Sequence, residues 1–240
     1  MQEIKDALLQ QKRELEARLK EDYVEREGNL KLNQPLIKVI IGPRRAGKSF
    51  FALHFLKNNF GYVNFDDERL ATLTNYDEII AVLNSLYNQP QIILFDEIQN
   101  LGKWELFVNR LQRQGFNLIL TGSNSHLLSK ELATHLTGRH LSVLIFPFSF
   151  KEYLQLDKKE HTSTEIREKL SQYLIDGGYP EPLVKNLDRR EYISSLFNAI
   201  VYKDIVKRYK IRNSSEIENL AYYLISNVAQ EYSYRSLTKN

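Results

Sequence analysis

The residues with the clearest chemistry lie in Gly42-Pro43-Arg44-Arg45-Ala46-Gly47-Lys48-Ser49, which fits the pattern G-x-x-x-x-G-K-[ST]. Glycines at these positions let backbone N–H groups curl around phosphates, and a helix that follows points its positive end at the same anion. Lys48 would reach the β- and γ-phosphates, and the Ser49 hydroxyl would sit on Mg²⁺. The flanks agree, because an apolar run precedes the loop and a helical pattern from about Ser49, continuing with Phe50, follows it. Gly42, Pro43, Arg44, Arg45, Ala46, Gly47, Lys48, Ser49 and Phe50 are therefore the expected nucleotide-binding residues.

A second signal is Ile92-Ile93-Leu94-Phe95-Asp96-Glu97, an apolar run that ends in two carboxylates. Asp96 at the C-terminal end of a strand can hold Mg²⁺, and Glu97, one residue on, can polarise an attacking water. A third is Leu120-Thr121-Gly122-Ser123-Asn124, where Ser123 or Asn124 would face the γ-phosphate and the other would cap the next helix. A fourth is Gly138-Arg139. An arginine there can complete a neighbouring subunit's site as a finger, touch the nucleotide of its own chain, or pair with a local carboxylate.

These residues need a scaffold, and the texture of the chain supplies one. Apolar runs at Leu36–Ile41, Gly61–Phe65, Ile92–Phe95, Asn117–Thr121 and Leu141–Phe146 alternate with helical patterns near 49, 76–87, 103–114 and 124–133. Five near-continuous apolar strands separated by helices predict a parallel sheet covered on both faces, a three-layer α/β core. After Pro147 the strand signals stop, and residues 149–156, 163–176, 188–209 and 214–229 read as helices. The spacing predicts a boundary near 147–150. Residues 2–22 read as a charged amphipathic helix with Ile4, Leu8, Leu15 and Leu19 on one stripe, packed on the main body or offered to a partner.

Composition excludes several classes. The chain has 240 residues with 42% hydrophobic and 26% charged content, which suits a globular protein rather than a collagen, a disordered tail or a membrane bundle. Cysteine is absent, so disulfide scaffolds, Cys-zinc sites and thiol catalysis fall away. No apolar run approaches the roughly 20 residues of a membrane span, and Met1-Gln2-Glu3-Ile4-Lys5-Asp6 opens no signal peptide. A soluble, cytoplasmic protein is expected. The five histidines form neither an H-E-x-x-H pair nor a partner for G-x-S-x-G, and no Asn-Lys-x-Asp guanine-reading run occurs. A glutamate directly after Asp96 argues against a small-molecule kinase, whose task is to exclude water. The net charge of +3 announces no polyanion partner. A local stripe of Lys203, Lys207, Lys210, Arg208 and Arg212 with Tyr202 and Tyr209 would suit nucleic acid, or is simply a solvated helix face.

Taken in order, the set resembles the AAA+ superfamily, and within it an archaeal and bacterial branch of ATPases built from an AAA+ core, a helical lid and a winged helix. The matching stretches are Gly42–Ser49, Phe95-Asp96-Glu97-Ile98-Gln99, Thr121-Gly122-Ser123, Gly138-Arg139, Phe146-Pro147-Phe148-Ser149-Phe150-Lys151-Glu152-Tyr153 and Gly177-Gly178-Tyr179-Pro180-Glu181. The resemblance implies a P-loop NTPase core with strand order 5-1-4-3-2 followed by an all-helical lid. It divides the chain into a lead-in over 1–35, the core over 36–148, the lid over 149–212 and the start of a winged helix over 213–240. It also implies ATP and Mg²⁺ as cofactors, hydrolysis to ADP and phosphate that drives a conformational or assembly change, and adenine near Gly178, Tyr179 and Pro180. Read from the residues alone, that tetrapeptide is a helix C-cap and a turn. A homo-oligomer and a DNA or protein client are the partners such a protein would take. A nucleotide-dependent nucleic-acid switch with little hydrolysis is the alternative. The last residues, Tyr232 to Asn240, read as a winged helix cut mid-motif.

Overall fold

The computed structural model describes residues 2–71, 73–122, 136, 138–207 and 209–237. Its core is one parallel sheet of five strands, β1 (Ile37–Ile41), β2 (Phe60–Asn64), β3 (Ile92–Asp96), β4 (Asn117–Thr121) and β5 (His140–Leu144). The strand order is β2-β3-β4-β1-β5, which is the expected 5-1-4-3-2 read from the other edge. All four pairings are parallel, with Lys38 opposite Ile119 and Leu141, and Leu94 opposite Tyr62 and Ile119.

Strand alternation sorts the apolar residues onto two faces. Ile37, Val39, Val63, Ile93, Phe95, Leu118 and Leu120 share one cluster with residues of α3 (Asp77–Leu86) and α4 (Trp104–Arg113). Ile40, Tyr62, Leu94 and Ile119 share the other with Phe51, Ala52 and Leu53 of α2 (Lys48–Leu56). Both faces are thus covered, as a parallel sheet requires.

Helix α1 (Gln2–Arg18) buries Ile4, Ala7, Leu8 and Leu15 against the protein's own core. Burial of a leucine-sized side chain is worth about 1.5–3 kcal/mol, so the stripe is satisfied without a partner. Gln11 fastens the helix to the end of β2. Its amide donates to the Asn64 carbonyl and to Asp67, each at 3.0 Å, and its carbonyl accepts from Asn64 N–H at 2.9 Å.

Beyond the sheet come α5 (Phe150–Leu154), α6 (Ser163–Asp176) and α7 (Pro180–Val184). Ser149 and Thr162 cap α5 and α6 with reciprocal capping boxes to Glu152 and Glu165. The compact units divide at Asn186/Leu187. The composition shift at 147–150 does not coincide with that division, because α5 to α7 pack within the first unit. Phe148 N–H donates to the Gly178 carbonyl at 2.7 Å, and Tyr173 donates its hydroxyl to the Phe148 carbonyl at 2.7 Å. The second unit holds α8 (Arg189–Ala199), a π-helical turn over Ile200–Val206, α9 (Ser214–Ser226) and α10 (Tyr234–Leu237). Among the described residues no helix is long and apolar enough to cross a membrane.

Candidate functional site

The loop between β1 and α2 is shaped by two glycines. A Cβ on Gly42 would stand 1.9 Å from the Ile145 carbonyl oxygen, so no other residue fits beside β5. Gly47 takes φ 88°, ψ 24° as the N-cap of α2 and offers no side-chain cap, which leaves the first turn's N–H groups to an anion. Arg45 also has positive φ, 64°, a cost that functional loops carry. Lys48 is buried and curls back, donating to the Gly42 carbonyl at 3.0 Å and the Pro43 carbonyl at 2.8 Å.

Strand β3 delivers Asp96 to the same place. Ser49 Oγ donates to Asp96 Oδ1 at 2.7 Å, and Tyr62 donates to Oδ2 at 3.1 Å. The Thr121 hydroxyl donates to Oδ1 as well, and its oxygen accepts from Glu97 N–H at 3.3 Å. Burial, and then the Asp96 charge, pushes the Tyr62 phenol well above its ordinary value, so it stays a donor. A hydroxyl and a carboxylate held together form the oxygen donor set that Mg²⁺ takes. No group of three or more acidic or histidine side chains suited to a metal occurs among the described residues.

Glu97 sits just past β3 with φ 51°, ψ 43°, a left-handed conformation unusual for this residue type. Its carboxylate accepts from the Gln99 amide. Burial raises its pKa above the ordinary carboxylate value, and the Asp96 and Asp66 charges add to that, against the Gln99 hydrogen bond and the Lys48 charge.

These groups open into a cleft of about 510 Å³ lined by Arg44, Arg45, Gly47, Lys48, Ser49, Phe50, Asp96 and Glu97. It is also lined by Pro180, Glu181 and Val184 of α7 and by Lys185 just after it, and Arg45 reaches Glu181 at 2.9 Å. Of the Gly178-Tyr179-Pro180 trio, Pro180 lines the cleft. Gly178 pairs its backbone with Phe148, where a Cβ would stand 2.3 Å from the Phe148 carbonyl oxygen, and Tyr179 is the N-cap residue of α7.

Several residues of the site carried no motif of their own. Tyr23 stacks on His54 at 4.1 Å between ring centroids, and Phe50 leans on the same imidazole at 4.7 Å. Burial pushes the Tyr23 phenol up to about 12. Arg26 also reaches the cleft, from beneath the loop. Tyr62 was hidden by alternation, since a tyrosine inside an apolar strand reads as core. Thr121 lay in a stretch already marked for a polar group, two residues before the expected one. Ser123 and Asn124, and the helix near 124–133, lie outside the described residues, as does Arg208 of the basic stripe.

Arg139 lies elsewhere. Its carbonyl accepts from Ile37 N–H at the first residue of β1, whereas the loop leaves the last. The four residue steps of β1 set its two ends about 13 Å apart. Arg139 there lines a separate groove of about 560 Å³ with Lys103, Arg110, Arg113 and the exposed Leu106.

Residues 34–154 match the family described as the AAA domain. The chain belongs to that family. Residues 167–240 match a second one, a domain of unknown function. The AAA-domain chain is 37% identical over 239 residues to the uncharacterized protein MJ1544 of Methanocaldococcus jannaschii, covering 93% of this chain and 54% of the relative. An uncharacterized Haemophilus influenzae protein is 32% identical over 209 residues, 81% of this chain and 52% of that protein. The chain therefore spans about half the length of these relatives. Among solved structures, that of C. elegans PCH-2 aligns with 93% of this chain and 63% of its own at 17% identity, with a TM-score of 0.35, a likeness too loose to bear on function.

Proposed function

We propose that this AAA domain binds ATP with Mg²⁺ in the β1–β3 cleft and hydrolyses it to ADP and phosphate, driving a conformational or assembly change. The observation that carries the reading is the Ser49–Asp96 hydrogen bond, which joins the phosphate loop to the carboxylate-bearing strand beside Lys48. Lys48 turns from the Gly42 and Pro43 carbonyls to the β- and γ-phosphates, while the N–H groups of Gly47 to Ser49 hold the phosphate chain. Ser49 and Asp96 would hold the metal, with Tyr62 and Thr121 fixing the carboxylate's orientation. When bound, Mg²⁺ would supply positive charge that offsets the charge of the phosphates. Glu97 accepts a proton from the water that attacks the γ-phosphorus. The γ-phosphate contact is assigned to Ser123 or Asn124, shortly after Thr121, whose hydroxyl is engaged at the Asp96–Glu97 junction.

The base lies against Tyr23, Phe50 and Pro180, an apolar wall that suits stacking. Gly178 and Tyr179 shape that wall from behind, and α5 to α7 serve as its lid. Arg139, at the opposite end of β1, acts on a nucleotide held by a second copy, which makes a homo-oligomer the working unit. A winged helix over 213–240 and a nucleic-acid or protein client follow from the family resemblance alone. The test is ATP turnover by the wild type with and without Mg²⁺, beside Lys48→Ala and Glu97→Gln. Mg²⁺-dependent turnover that both substitutions remove supports the reading, and turnover that survives them refutes it.

A further inference from the structure

Arg26 belongs to no motif, yet its side chain is 4% exposed, and α5, the phosphate loop and the residues just after β5 all converge on it. Its Nε donates to Glu152 Oε1 at 2.9 Å. One terminal nitrogen, Nη1, donates to the Ala46 carbonyl at 3.0 Å, inside the phosphate loop. The other, Nη2, donates to the Phe146 carbonyl just beyond β5, and the guanidinium lies over the Phe148 ring with its carbon 5.0 Å from the centroid. The loop's second glycine is shaped to this contact, for a Cβ on Gly47 would stand 3.2 Å from Nη1. Glu152 is as buried as its partner, at 5% side-chain exposure. Its Oε1 also accepts from Glu27 N–H at 3.0 Å, and its Oε2 from Ser149 N–H at 2.9 Å within the α5 capping box.

A buried guanidinium of this kind has only its fork to recommend it. Removing two charges from water costs several kcal/mol per ion, and apolar residues of similar volume often serve stability as well or better. A fork can do what an apolar residue cannot, which is to hold two backbone carbonyls and a carboxylate at fixed angles at once. One of those carbonyls is the reverse side of the peptide unit whose N–H belongs to Gly47, at the start of the anion-binding turn. Anchoring the Ala46 C=O therefore aims the Gly47 N–H.

We infer that Arg26 is a positioning residue for nucleotide binding. It fixes the phosphate loop through the Ala46 carbonyl and, through Glu152, ties that loop to α5. The inference rests on the nucleotide-binding reading above and extends it to a residue outside the phosphate-loop and strand motifs. Because the clasp acts on the part of the loop that holds the inner phosphates, it serves ATP and ADP alike. Glu97, by contrast, bears on hydrolysis alone.

The experiment is equilibrium titration of a fluorescent ATP analogue and of its ADP counterpart, with Mg²⁺, into wild type, Arg26→Gln, Arg26→Lys, Glu152→Gln and the Arg26→Gln/Glu152→Gln double variant. Folding of each is confirmed by circular dichroism at the titration temperature. Loss of a hydrogen bond from a charged group predicts Kd higher by about tenfold or more in Arg26→Gln for both nucleotides. Arg26→Lys keeps the charge but loses the fork and is weakened in the same direction. Glu152→Gln is weakened too, and the double variant is little worse than Arg26→Gln alone, since both substitutions break one device. A purely structural arginine would lower Tm and leave the Kd of the folded protein at the wild-type value, which overturns the inference. If Arg26→Gln does not fold, Arg26→Lys decides, with an unchanged Kd again overturning it. Wild-type protein that binds neither nucleotide overturns the nucleotide reading itself, and the clasp with it.

Discussion

Ser49 Oγ stands 2.7 Å from Asp96 Oδ1 and donates to it, although 47 residues separate the two in the chain. The contact exists because β1 and β3 lie on either side of β4 and end at the same edge, so the loop after one and the carboxylate after the other face a single cleft. Asp96 also receives the hydroxyls of Tyr62 and Thr121, one from each neighbouring strand.

Tyr62→Phe removes one of those donors without changing the ring. Outer-shell partners of a metal-holding carboxylate are typically worth 10–100-fold in metal affinity. Tyr62→Phe is therefore expected to raise the Mg²⁺ concentration at half-maximal nucleotide binding by about 10–100-fold. Nucleotide affinity at saturating Mg²⁺ should stay near wild type. A Mg²⁺ titration of nucleotide binding checks this, and an unchanged midpoint contradicts it.

Much of this arrangement was legible beforehand. The five apolar runs foretold the strands to within one or two residues because a doubly covered sheet keeps most strand positions apolar, and the Gly42–Ser49 loop announces itself through backbone demands that few other sequences meet. What stayed hidden was conferred by the fold. Tyr62 reads as a core residue until β3 brings Asp96 beside it, and Arg26 reads as one charge among many in a charged lead-in until Ala46, Phe146 and Glu152 close around it. Tyr23 is likewise ordinary until α2 lays His54 flat against its ring. The composition shift at 147 marks where strands end, whereas packing continues through α7 because Phe148 pairs with Gly178.

Gly42→Ala tests the steric reading of the loop. The new methyl would stand 1.9 Å from the Ile145 oxygen, and backbone has no rotamer by which to yield. The variant is expected to lose several degrees of Tm at the least, within the range of severe single substitutions. Thermal unfolding followed by circular dichroism measures it. A Tm equal to wild type would mean that β5 does not press on the loop as described.

Gln11→Ala tests the docking of α1. Three hydrogen bonds at the end of β2 are lost, and the Asn64 N–H and C=O must find other partners or go unpaired. The expected destabilisation is about 1–3 kcal/mol in urea unfolding. A change under about 0.5 kcal/mol would show that the helix is held by its apolar stripe alone.

Arg139→Ala separates a shared site from a solitary one. If Arg139 reaches a second copy's nucleotide, wild-type turnover per chain rises with protein concentration, and the variant loses about 10³–10⁵ in rate while still binding ATP. Turnover that is independent of concentration and indifferent to the substitution removes the finger.

The central claim is that Glu97 works as a base on water held by the phosphate loop. Its carboxyl titrates above the ordinary carboxylate value because burial disfavours the ion, so turnover should rise with pH through that raised value and fall on its acid side. The most direct measurement is the pH profile of Mg²⁺-dependent ATP turnover for wild type and Glu97→Gln, with ATP binding measured alongside. The account predicts an acid limb in the wild type, and in Glu97→Gln a rate lower by about 10²–10⁴ that has lost that limb while ATP binding is kept. A Glu97→Gln protein that turns over ATP at the wild-type rate, with the same acid limb, would contradict it.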